Sequence, residues 1–161
     1  MRSVSWKALR TAFMPAVAAL VAVLAFNTAA TAADGALVVR STQGSFEDVK
    51  ERVESAIASR GLVLNYTARI GAMLERTGKD IGAGKRVFEH AESFEFCSAS
   101  VSRGTMEADP HNIGFCPYVI NVYVLPREPG RVYVSYRKFP ASRAMRPAEK
   151  LVAEIVREAL K

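Results

Sequence analysis

Two helical stripes separated by a run of alternating segments constrain this chain most, because each stripe must be buried and only a sheet lies between them. The first opens at Ser45, where Ser45-Phe46-Glu47-Asp48 fits a capping pattern with acids in the first turn. Phe46, Val49, Val53, Ala56 and Ile57 then recur at helical spacing, and Gly61 follows as the residue best able to take a left-handed cap. The second stripe follows Pro147, which suits a first helical turn, and comprises Ala148, Leu151, Val152, Ile155, Val156 and Ala159. Lys150, Glu154 and Arg157 fall on its solvated side.

The segments around and between these stripes read as strands. Ala36–Arg40 is a short apolar run that stops at Ser41-Thr42-Gln43-Gly44. Leu62–Ile70 alternates, with Leu62, Leu64, Tyr66, Ala68 and Ile70 on one buried face. Gly71–Arg86 is polar and glycine-rich and is expected to be a connection with one helical turn near Ala72–Arg76. It lacks the spacing and the Ser/Thr of a phosphate loop. Val87–Cys97 alternates again, with Phe88, His90, Phe94 and Phe96 together, which makes His90 a hydrogen-bonded core histidine. Ala99–Ala108 is a short helix closed by the Asp109-Pro110 corner. Tyr118–Leu125 and Arg131–Arg137 form a hairpin around Pro126–Gly130. One face of a mainly antiparallel sheet is the economical place to bury both stripes, so the fold class is α+β, in the order β-α-β(4)-α with a short inserted helix.

The first residues are an address. Arg2, Lys7 and Arg10 are the only charges before Asp34, and they precede an apolar run from Ala12 to Phe26 and the cleavage-site pattern Ala30-Thr31-Ala32. That run contains Pro15 and falls short of the roughly 20 residues that span a bilayer. Residues 1–33 are therefore read as a secretory signal and 34–161 as one soluble domain, periplasmic or secreted, with no membrane span after cleavage. The chain has 22 Lys and Arg against 16 Asp and Glu, and loss of the three signal bases leaves a net charge of +3. No basic-aromatic stripe remains that would suit nucleic acid.

Taken with this order of elements, Phe96-Cys97-Ser98-Ala99, Ser102-Arg103, Ala108-Asp109-Pro110 and Phe115-Cys116-Pro117-Tyr118 resemble the domain-of-unknown-function family numbered 302. The resemblance covers about Ala36–Pro140 and is to an exported branch of that family. It implies a β-α-β(4)-α fold of the TATA-binding-protein-like type, with two long helices on one face, and no assigned function. The commoner family pattern has glycine where Cys97 stands and leucine where Cys116 stands, so the cysteine pair is the distinctive feature of this chain.

Two cysteines in an exported chain are read first as a disulfide. A Cys97–Cys116 bridge would clamp the inserted helix and close a loop of about 20 residues, worth on the order of 3 kcal/mol. The other reading leaves the sulfurs reactive, for thiol redox or sulfur-compound chemistry, or ligating. Met106, His111 and Cys116 stand at intervals of five and, with Cys97, make a soft set suited to copper or zinc. Enzyme motifs fail on named absences. His90-Ala91-Glu92 lacks the downstream P-C-x-x-C of a zinc deaminase, no C-x-x-C-H binds haem, and no G-x-S-x-G elbow is present.

Tyr118, Tyr123, Tyr133 and Tyr136 crowd the hairpin, as ordinary sheet packing, as a wall for a small ligand, or as a dimer surface. Ile120, Val122 and Val124 lie on one side of their strand, and Val119, Tyr123 and Leu125 on the other. A second face this apolar is expected to meet a partner, most simply a second copy. The overall expectation is a non-enzymatic binding or accessory module with no required cofactor.

Overall fold

The stripe that opens at Ser45 is α1 (Phe46–Ala58) in a computed structural model of the chain, which describes residues 35–161. Ser45 Oγ accepts the Asp48 backbone N–H at 3.1 Å, and Gly61 takes a φ of 69° just beyond the helix. The buried residues of α1 are Phe46, Val49, Val53, Ala56 and Ile57, the whole expected stripe. The second stripe is α4 (Arg146–Ala159), which buries Ala148, Val152, Ile155, Val156 and Ala159 and leaves Leu151 half-buried. The expected secretory signal lies outside the described residues.

Five strands complete the fold: β1 (Leu37–Gln43), β2 (Leu64–Ala68), β3 (His90–Phe96), β4 (Tyr118–Val124) and β5 (Arg131–Arg137). They form one sheet in the order β1-β5-β4-β3-β2, antiparallel at every pairing. Helices α1 and α4 pack together over one face. Beneath them, Phe94, Phe96, Ile120, Val122, Val132 and Val134 are fully buried. Each such side chain contributes about 1.5–3 kcal/mol of burial free energy, so this layer is the main source of stability. The α+β reading, with both long helices over one face, is what the structure shows.

Three local expectations are corrected. The glycine-rich connection contains a full helix, α2 (Ile70–Asp80), in place of one turn. Gly71 argued against a helix, yet it is the point of closest packing: a Cβ there would stand 2.9 Å from the Ala91 backbone nitrogen. Second, β2 does not keep Leu64, Tyr66 and Ala68 on one buried face. A bulge between Leu64 and Tyr66 shifts the register, so Leu64 pairs with core-facing Phe96 while Tyr66 pairs with Glu95 and is 60% exposed. Third, His90 is not a core histidine. It begins β3, stays exposed, and stacks its ring on Phe46 at 5.0 Å. Phe88 precedes the strand and packs edge-on against Tyr123, on the other face.

The inserted helix α3 (Ala99–Ala108) has its expected bounds. Asp109 Oδ1 accepts the His111 backbone N–H at 2.9 Å and starts a 3-10 turn, Pro110–Phe115, which leads back to β4. The peptide bond Cys116–Pro117 is cis. Among the described residues, no helix is long and apolar enough to cross a membrane.

Candidate functional site

The sheet face away from α1 and α4 is built by strand register. Paired residues share a face, so three rows cross it. The first runs Tyr66, Glu95, Val119, Arg137, Leu37, with the β4–β5 register carried one residue on. The second is Ala68, Ser93, Asn121, Ser135, Val39, and the third Ala91, Tyr123, Tyr133, Ser41.

The middle row is a polar ladder. Ser93 Oγ donates to Asn121 Oδ1 at 2.6 Å, and Asn121 Nδ2 donates to Ser135 Oγ at 3.3 Å. In the third row the Tyr123 and Tyr133 rings stack with centroids 5.3 Å apart. Burial raises the Tyr123 phenol above its ordinary value, and the hydrogen bond from Tyr133 to the Glu128 carboxylate raises that of Tyr133. This face is therefore mixed, not the uniformly apolar surface expected from Val119, Tyr123 and Leu125.

At one end of the face the first row opens into a cleft of about 460 Å³. Val119 and Asn121 form its floor, Leu37 and Arg137 one side, Glu95 the other, and the segment Gly114–Pro117 with Phe139 its end wall. Such a volume suits a small ligand.

Cys116 lines this cleft, and Cys97 stands against it. Their sulfurs are 2.8 Å apart as two free thiols, beyond the ~2.05 Å of a disulfide bond. The expected bridge is therefore present as a contact and not as a bond. Burial, the Cys116 sulfur and the nearby Glu95 carboxylate push the Cys97 thiol up to about 11, against a lowering by the Tyr118 backbone N–H. A thiol held un-ionised at neutral pH is a poor nucleophile.

The soft-metal set does not assemble. Among the described residues, no three His, Cys, Asp or Glu side chains gather as a metal site. His111 is exposed on the 3-10 turn and Met106 is half-buried on α3. The turn that follows Asp109 carries His111 out of the helical repeat.

The four tyrosines divide two and two. Tyr118 and Tyr136 are buried on the helix-covered face, and the Tyr118 hydroxyl accepts from Ser102 Oγ at 3.1 Å. Tyr123 and Tyr133 alone belong to the open face. Glu95, Asn121, Arg137 and Phe139 carry no motif in the sequence that marks them as cleft residues. Asn121, a lone amide inside an apolar strand, is the signal that could have marked the face.

A five-stranded antiparallel sheet with two long helices on one face and an open cleft on the other defines the class of protein. Residues 37–161 match the family described as "Domain of unknown function DUF302", and the chain belongs to that family. Comparison with curated proteins gives no match. Among solved structures, the chain is similar to the crystal structure of an uncharacterized conserved DUF302 protein from Bacillus stearothermophilus, with a TM-score of 0.62 and 15% identity over 78% of this chain and 98% of that one. At that identity the likeness is one of fold.

Proposed function

We propose that this chain is an exported, non-enzymatic binding or accessory module, periplasmic or secreted. Its open-face cleft takes a small ligand, and the Cys97–Cys116 pair closes to a disulfide that fixes the cleft's end wall. The observation that carries the reading is the placement of the two sulfurs, 2.8 Å apart at the edge of a 460 Å³ cleft. The basic, apolar and small-residue pattern of residues 1–33 supports export, and an oxidising compartment favours closure of such a pair.

The experiment is mass analysis of thiol state in protein taken from the extracytosolic fraction without reductant. Resistance to alkylation supports the reading, and two alkylated thiols contradict it.

A second reading, reversible dithiol chemistry, is favoured by the same contact and opposed by the un-ionised Cys97. Rapid exchange with glutathione at neutral pH would select it.

A homodimer is also proposed. Edge strand β1 pairs through all seven residues without a bulge and exposes Leu37 and Val39, which supports its joining a second β1. Sedimentation equilibrium of the wild type and Val39→Lys decides this: a dimer made monomeric by the substitution supports it, and a wild-type monomer removes it.

A further inference from the structure

Resting on the reading of the cleft as a binding site, we infer that its ligand is a small zwitterion, held with its anionic end at Arg137 and its cationic end at Glu95. The two residues flank Val119 in one row of the sheet, two strand spacings apart, about 10 Å. They do not bridge each other. Among the described residues neither has an ion-pair partner. Glu95 is half-buried and lines the cleft beside Val119.

The charges that line the cleft are Arg137 on one side and Glu95 on the other. A lone anion would be drawn to Arg137 but would leave Glu95 unpaired. A lone cation would satisfy Glu95 and leave Arg137 unpaired. A molecule bearing both charges at the ends of an apolar body answers both residues at once, with Val119 beneath the body and Phe115 and Leu37 beside it. The Asn121 amide is already engaged with Ser93 and Ser135, so it contributes polarity to the floor without demanding a ligand group.

The test is an amide-resolved NMR titration of the purified protein with three probes of one length: 6-aminohexanoate, hexanoate and hexylamine. The expected result is saturable shifts at Glu95, Val119, Asn121 and Arg137, with 6-aminohexanoate binding about tenfold or more tightly than either singly charged probe. Glu95→Gln and Arg137→Gln should each abolish that advantage while leaving the core resonances in place. Equal binding of all three probes at these residues overturns the zwitterion and leaves the binding-site reading standing. So does an advantage that survives both substitutions. No shift at the cleft with any probe overturns both.

Discussion

Cys97 and Cys116 meet across 19 residues of sequence, and their contact fixes two measurable quantities. Closing that loop as a disulfide should raise unfolding free energy by on the order of 3 kcal/mol relative to the reduced protein, read from urea unfolding with and without reductant. Equal midpoints would show that the bond adds nothing to the fold. The raised Cys97 pKa has two of its causes in Cys116. In Cys116→Ser the Cys97 thiol should therefore fall back from about 11 toward the ordinary 9.0, measured as alkylation rate against pH. An unchanged profile would assign the shift to burial and the Glu95 carboxylate. The pair was legible as a pair from composition. Its un-ionised state was not, because that depends first on the burial of Cys97 and then on the Cys116 sulfur, which only the fold brings beside it.

At the scale of elements, the close approach of α2 to β3 rests on one missing methyl group. Gly71→Ala places a Cβ 2.9 Å from the Ala91 backbone nitrogen, and backbone cannot yield as a flexible side chain does. The expected cost is about 1–3 kcal/mol in unfolding free energy, and a neutral result would mean that α2 moves freely off the sheet. The glycine that permits this packing also hid the helix from a reading based on propensity. Where the sequence pattern was unbroken the reading held: the α1 stripe, its Ser45 cap and the bounds of α3 recur in the structure. Where one residue changes the parity, as at the Leu64–Tyr66 bulge, alternation predicts the wrong face beyond it. The tyrosines show the same limit: even-numbered Tyr118 and Tyr136 face the helices, and odd-numbered Tyr123 and Tyr133 face away.

For the whole molecule, buried acids link stability to alkaline pH. Burial raises Tyr118, Tyr123 and Tyr136 above 10.0, and the reduced Cys97 thiol rises from 9.0 to about 11. Each group holds its proton more tightly folded than unfolded. The unfolded chain therefore binds fewer protons between about pH 9 and 11, and stability falls as pH rises through that range. The thermal midpoint of the reduced protein should be lower at pH 10.5 than at pH 8, and a midpoint that holds steady would contradict these shifts. The cleft itself was hidden in the sequence because its walls come from β1, β3, the turn before β4 and the end of β5. Only the strand order β1-β5-β4-β3-β2 brings them to one place. The most direct test of an exported module with a closed cysteine pair is the intact mass of the protein isolated from outside the cytosol, alkylated without reductant and denatured. The account predicts a chain lacking residues 1–33, two hydrogens light and free of alkyl groups. A full-length chain carrying two alkyl groups would contradict it.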